Sequence, residues 1–435
     1  MSGEMKTTNI ILSAPIIYPV SDTPIFNGAL LVCDGKICDI GDADEIRSKH
    51  PDIPTRKFDD SILLPGLINA HIHLEYSTLG HLEDPVDFIP WIKDLIRRQR
   101  EFSNSEISSY VSNAISYLIS SGTTSIAETS KSGLSFEGLL KSGLKGMILP
   151  EIVAVDSSRK KEALNNFKTI FEKYKYTLNA DKLKLGMFPH SPYTLSYDVL
   201  TEIASLIKTE GVVCGIHAAE SCDEKEFISS GLGTLADFVR EFELDTIPES
   251  GRWVDTFDYL DSAGLLHDKT FLVHAVHIGD EHFALLKKRS VGIVICPRSN
   301  YMLNNGTFPL TTALKYDIKL GLGTDSLASN RSLDMFDEMR FLSDTIQPES
   351  TNITSHALNE KIIHIATLGG AQVLGADKDT GSLTIGKSAD IIAVKVNGNA
   401  HKEKGFLAAD YLVKEASSSN ITLTMIDGSI VYDDS

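Results

Sequence analysis

ILLPGLINAHIH, residues Ile62–His73, is an apolar run that ends on two histidines one residue apart. Strand side chains alternate with period two, so His71 and His73 leave the same face. Seven further short apolar runs follow it. They are TTSIAE (Thr123–Glu128), KGMILPEIV (Lys145–Val153), KLGMFPH (Lys184–His190), VVCGIH (Val212–His217), TFLVH (Thr270–His274), VGIVIC (Val291–Cys296) and IKLGLGTD (Ile318–Asp325). The segments between them, such as SEISSYVSNAISYLISSG and SYDVLTEIASLIKTEG, have helical spacing, and the second stops at a glycine suited to a helix C-terminus. Strand–helix alternation builds parallel βαβ units. Eight such units predict an α/β protein with a closed (β/α)8 TIM barrel, whose functional face lies at the C-terminal ends of the strands.

The polar residues sit at those ends. His71 and His73 close the first run, Glu128 the second, His190 the fourth, His217 the fifth, His274 the sixth and Asp325 the eighth. Inside a barrel, imidazoles and carboxylates are costly to bury without partners. At the strand tips they converge. His71, His73, His217 and Asp325 together form a three-imidazole, one-carboxylate donor set for one divalent metal ion, zinc first and Fe(II) as the other ion that accepts it. Each residue alone reads equally well as a satisfied core polar group. Their shared position at the ends of runs carries the argument.

The two ends of the chain read differently. The first ~60 residues and the last ~50 are strands and turns, with DG turn signals in VCDGKICDIGD and TMIDGSIVYDD. Residues 1–61 and 381–435 are expected to form the two halves of a composite β-sandwich, with residues 62–380 as the barrel. At 435 residues the length suits a barrel of ~250 residues with insertions and an accessory domain. A net charge of −18 repels phosphate backbones and argues against nucleic acid. No run reaches the ~18 apolar residues of a membrane helix. The start, MSGEMKTTNIILSAP, lacks the basic and apolar regions of a signal peptide. Five scattered cysteines without a C-x-x-C fit a reducing compartment, so a cytoplasmic location is expected.

PGLINAHIHLE, IHAAES, LVHAVH and LGLGTDSLASNRSLD resemble the amidohydrolase superfamily, in its branch of nucleoside deaminases, base deaminases and chlorohydrolases. GSLTIGKSADIIAV is similar to the segment by which those enzymes return to the β-domain, so the resemblance spans nearly the whole chain. It assigns the metal to the same four positions. It also implies that Glu220 transfers a proton to the ring nitrogen beside the attacked carbon, that His274 holds the attacking water, and that Asp325 takes the water's proton. His-Ser-Pro-Tyr-Thr at 190–194 is similar to the family's substrate-contacting segment, which makes His190 a substrate-binding candidate rather than a ligand. No lysine stands at the end of the fourth run to bridge two ions, so one metal is implied.

The resemblance implies hydrolytic deamination of a 6-aminopurine nucleoside, with that nucleoside and water as partners. HLEYS after the metal pair is similar to the aminodeoxyfutalosine deaminases of menaquinone biosynthesis. Deaminases of S-adenosylhomocysteine, methylthioadenosine or adenosine, and other base deaminases or chlorohydrolases of the branch, are the alternatives. Trp91, 18 residues past His73, is expected over the pocket, Glu75 at its mouth and Ser329 near the substrate. Arg97, Arg98 and Arg100 form a basic cluster that suits either a carboxylate clamp, with Arg100 the candidate, or a surface helix face. Relatives are often dimers, which leaves a homodimer open. A catalytically dead scaffold is the alternative of a different class, but such relatives usually shed metal ligands, and this chain keeps all four together with Glu220 and His274.

Overall fold

Gly66 divides the opening apolar run between two sheets in the computed structural model, which describes residues 9–153, 160–176, 178, 182–242, 246–346, 353–398, 400–402 and 405–434. A Cβ at Gly66 would stand 2.1 Å from the Thr124 side chain, so only glycine passes here. Before it the chain runs through β1 (Ile10–Ile17), β2 (Ile25–Cys33), β3 (Lys36–Asp42), β4 (Thr55–Lys57) and β5 (Ser61–Pro65). After it come the eight barrel strands: β6 (Leu67–Ile72), β7 (Thr123–Ser130), β8 (Lys145–Ile152), β9 (Leu183–Pro189), β10 (Val213–Ala218), β11 (Thr270–His274), β12 (Gly292–Ile295) and β13 (Leu320–Leu322). The chain ends in β14 (Ile391–Lys395), β15 (Ile421–Ile426) and β16 (Ser429–Asp433).

β6 to β13 close into one parallel barrel. Each of the eight apolar runs supplies one barrel strand. The remaining strands form one eight-stranded mixed sheet, in the order β16-β15-β14-β5-β1-β2-β3 with β4 beside β1. Both termini therefore share a β-unit, held by β5 pairing antiparallel with β14 and parallel with β1. Because β5 reaches Pro65, the chain passes from this sheet to the barrel at Gly66, and not at residue 62. Periodicity alone hides that step, since β5 and β6 are buried on both faces.

The helices follow their local signals. Ser103 and Glu106 form a capping box for the helix Asn104–Ser120. The helix Tyr197–Glu210 ends at Gly211, whose φ of 65° is the left-handed conformation that glycine adopts without strain. No helix among the described residues is long and apolar enough to cross a membrane.

Two features of the packing position the site. Ile68, Ala70, Met147, Leu149, Phe188, Phe271 and Val294 fill the barrel interior beneath the strand tips. Closure depends on the short pairing of β13 with β6 at Leu322 and Asn69. Asn69 strengthens it, donating from Nδ2 to Thr324 Oγ1 (2.7 Å) and accepting from Thr324 N (3.1 Å). One step further Asp325 N donates to His71 O (3.1 Å), which sets the carboxylate beside the histidines.

Lys145 joins the barrel to the outer sheet. Its buried Nζ donates to Ser388 Oγ (2.7 Å), Asp390 Oδ2 (3.1 Å) and Asp427 Oδ1 (2.7 Å). Burial disfavours its charge, but Asp390 and Asp427 outweigh that and hold its pKa above the ordinary lysine value. Lys145→Met would leave buried Asp390 without its counter-charge, a loss of about 3–5 kcal/mol. Urea unfolding of that variant should show this loss, while a change under ~1 kcal/mol would mean that the ion pair does not hold the two units together.

Candidate metal centre and active site

The donor atoms of His71, His73 and His217 lie within 4.8 Å of one another, all buried. His217 Nε2 is 3.1 Å from His71 Nε2. Asp325 Oδ1 is 3.6 Å from His71 Nε2 and 3.8 Å from His73 Nε2. Ligands ~2.0–2.1 Å from one tetrahedral ion stand ~3.3 Å apart. The four donors therefore fit a single small divalent cation. They come from the ends of β6, β10 and β13, so the sequence-predicted ligand set does meet at one mouth of the barrel.

Each donor is held by its strand end. Phe188 stacks under the His71 ring, with centroids 5.4 Å apart and planes at 20°. Asp325 has φ of 56° and His274 φ of 72°. Left-handed backbone at a non-glycine residue costs about 1–3 kcal/mol and persists where the surroundings impose it. Asp325 Oδ2 accepts from Ser299 Oγ and Ser329 Oγ, both at 2.7 Å, which turns Oδ1 to the histidines.

The apolar floor governs protonation. Burial lowers the pKa of His71 and His217, and pushes His73 and His190 down to about 3. Neutral imidazoles are the form that binds metal. Burial disfavours the Asp325 anion, but the adjoining His71 ring and its neighbours outweigh this and hold it below the usual carboxylate range. Glu220 goes the other way. Burial first, then the Asp325 and Glu224 charges, raise its pKa well above the ordinary carboxylate value and favour its protonated form.

Glu220 and His274 face each other beside the four donors, with Glu220 Oε1 3.7 Å from His274 Nε2. Asn305 Nδ2 donates to Glu220 Oε1 (3.1 Å). Glu224 accepts from Ala219 N (2.8 Å) and Glu220 N (3.2 Å), fixing the loop that carries Glu220. His274 Nδ1 donates to Asn300 Oδ1 (2.7 Å), so Nε2 keeps its lone pair toward the site. His277 stands apart and bonds Asn305 O (2.9 Å), a packing role.

A small chamber of about 50 Å³ lies over these groups, walled by Trp91, Phe88, Tyr193, Tyr76 and Ser326. Trp91 is fixed by its Nε1 donating to Ala328 O (2.8 Å). The chamber shares Tyr76, Ile92, Leu95 and His190 with an outer cavity of about 730 Å³. His190 stands at the junction, its Nδ1 within hydrogen-bond reach of Ser191 Oγ (2.9 Å) and Thr194 Oγ1 (3.0 Å). Arg100 lines the outer cavity. Arg97 instead pairs with Asp94 and Glu101, and Arg98 donates to Leu79 O (2.6 Å). A further cavity of about 740 Å³ flanks Ile318–Leu320, at the N-terminal end of β13 and away from this chemistry.

Two residues expected at the substrate are turned elsewhere. Ser329 is fully buried and spends its hydroxyl on Asp325. Glu75 Oε1 accepts from Ser130 and Ser132 Oγ, from Leu134 N (3.0 Å) and from Ser135 N (3.4 Å), so it caps the helix Leu134–Ser142. Glu128 likewise accepts from Leu74 N (3.0 Å). Such partners lie far away in the chain and leave no local signature. Glu151 and Lys131, which line the outer cavity, went unread. Glu151 lies inside the third run, two residues before its end at Val153, so the rule that picks out the histidines does not reach it. Burial raises its pKa to about 8.

The family model described as "Amidohydrolase family" matches residues 62–431. An aminodeoxyfutalosine deaminase of a Nitratiruptor species is 29% identical over 358 residues, covering 82% of this chain and 85% of its own. A 5-methylthioadenosine/S-adenosylhomocysteine deaminase of Pelotomaculum thermopropionicum is 31% identical over 386 residues, covering 87% and 83%. Among solved structures, an adenosine deaminase from Xanthomonas campestris with bound zinc superposes with TM-score 0.84 at 22% identity, covering 98% of this chain and 93% of its own, a match of fold.

A pH effect follows from the buried rings. His73 and His190 have pKa values of about 3 folded and ~6.5 unfolded, so below ~6.5 the unfolded chain binds more protons and is favoured. In the chelated, metal-free protein these two rings should contribute a loss of stability as pH falls from ~6.5 toward ~3 and none above ~6.5, against the opposite trend of the buried Glu151 and Glu220 carboxyls. Thermal melts of the wild type and His190→Phe across that range test it, and an identical pH dependence in the two would place the His190 ring in water.

Proposed function

The chain belongs to the amidohydrolase family, and from that premise we propose that it is a hydrolytic deaminase of adenosine-like nucleosides. The observation that carries the reading is Glu220, a carboxyl whose protonated form burial favours, 3.7 Å from His274 Nε2 and beside four convergent donors. Replacing C–NH2 by C=O needs an acid for the ring nitrogen and a base for the water, and this pair with Asp325 supplies both.

His71, His73, His217 and Asp325 would hold one divalent cation, zinc by preference, whose Lewis acidity lowers the pKa of a water toward ~7. His274 Nε2, oriented by Asn300, would accept a hydrogen bond from the attacking water and aim it at the amino-bearing carbon. Glu220 donates its proton to the adjacent ring nitrogen. Asp325 accepts one proton of the water and passes it to the amino group, which leaves as ammonia, and the water's second proton returns to Glu220 as the C=O bond forms. Trp91, Phe88 and Tyr193 flank the base and exclude bulk water, which strengthens each charge interaction.

The substrate we propose is 6-amino-6-deoxyfutalosine. Phe167, Phe238 and Phe242 give the outer cavity an aromatic wall for an aryl tail, and Arg100 stands on the same cavity to meet its carboxylate. The relative from Pelotomaculum supports S-adenosylhomocysteine or methylthioadenosine as the second reading. The free cysteines suit the proposed cytoplasmic setting.

Ammonia release should be greatest in kcat/KM on aminodeoxyfutalosine among that compound, S-adenosylhomocysteine, methylthioadenosine and adenosine. If it ranks last, the substrate assignment is wrong. Glu220→Gln should keep stoichiometric metal and lose about 10²–10⁴ in kcat. Near-normal turnover in that variant would remove Glu220 from proton transfer.

A further inference from the structure

Three carboxylates gather where β6, β7 and β8 end, and two of them are satisfied. Glu75 accepts from the amides of Leu134 and Ser135, and Glu128 from that of Leu74. Glu151, the penultimate residue of β8, is 3% exposed, and its Oε1 has no hydrogen-bond partner among the described residues. No described residue donates to either of its oxygens. An acceptor left in that state at the wall of a cavity is costly, and the usual remedy is a donor from outside the protein.

Its place says which donor. One Glu151 oxygen lies within 4.8 Å of a ring nitrogen of His190 and one of His217. It lines the outer cavity and not the small chamber over the metal donors. It is therefore one step outward from the reacting carbon. A base seated in the chamber must send its sugar through the junction at His190 and Tyr76, past Glu151. Lys131, the cation that acts on Glu151, faces the same cavity. A positive ligand group would meet Lys131, and a negative one would meet Glu151 itself. Neutral hydroxyl donors meet neither penalty.

We propose that Glu151 is a specificity-determining residue that accepts hydrogen bonds from the sugar hydroxyls of the bound nucleoside, with Lys131 holding the carboxylate in place. This rests on the deaminase reading above and adds to it a contact that selects ribonucleosides over their deoxy counterparts.

The test compares adenosine with 2′,3′-dideoxyadenosine in the metal-loaded wild type, Glu151→Gln and Glu151→Leu. The wild type should prefer adenosine in kcat/KM. In Glu151→Leu that preference should fall about 5- to 100-fold, the cost of losing a buried hydrogen-bond partner, mostly through a higher KM for adenosine, with Glu151→Gln between. Metal content should match the wild type, and Glu151→Leu should melt no lower, since it removes an unpartnered buried carboxyl. A purely structural Glu151 would instead lower the melting temperature and weaken both substrates equally, and that result overturns the assignment. An unchanged preference overturns it too. Failure of the wild type to release ammonia from any of the nucleosides compared above would overturn the deaminase reading, and the assignment with it.

Discussion

Three neutral imidazoles and one carboxylate point their lone pairs at a common centre in a cup dried by Phe188 and the barrel core. Without a cation this arrangement is unfavourable, because acceptors face acceptors where no water can intervene. The surrounding structure is organised to impose it. The Asn69–Thr324 clasp closes the barrel where β13 is only three residues long. Ser299 and Ser329 turn Asp325, and His274 and Asp325 are held in left-handed backbone conformations. Stability is given up locally so that the donors are already in place before a ligand arrives.

The same dry floor separates two carboxylic acids by role. Asp325 is beside the imidazoles and accepts two hydroxyl hydrogen bonds, so its anion is favoured. Glu220 is buried near that anion and near Glu224, so its neutral form is favoured. Opposite shifts in neighbouring groups are the means by which one fold can offer an acid and a base at the same pH. Chemistry is confined to the strand ends, while Glu151, Lys131, Arg100 and the phenylalanines line the outer cavity, most of them on the segments that connect the strands. That separation lets related barrels keep one reaction type while the cavity lining changes with the substrate.

Much of this was readable from the chain. Eight apolar runs gave eight barrel strands, because burial on both faces and intervening helical periodicity are local properties. The tips of those runs gave His71, His73, His217, His274 and Asp325, because a polar residue at the end of an apolar strand is legible from its neighbours. Glu151 falls outside that rule, because Ile152 and Val153 continue its run. The tip of the fourth run gave His190 as well, and the motif resemblance pointed to Glu220, which the fold places 3.7 Å from His274.

Hydrogen-bond direction was not readable. Ser329 and Glu75 have the residue types of substrate contacts, yet one orients Asp325 and the other caps a helix more than fifty residues away. Gly66 and Lys145 show the same limit, since each is explained by a partner in a distant segment. The linear chain specifies the strands, their order and the donor types at their tips, because backbone periodicity and burial cost act over a few residues. Which donors meet, which carboxylates are already satisfied and which one still faces the cavity are settled in the folded barrel alone. Those outcomes depend on how separated segments are placed when the barrel closes, and nothing within a short stretch of chain encodes them.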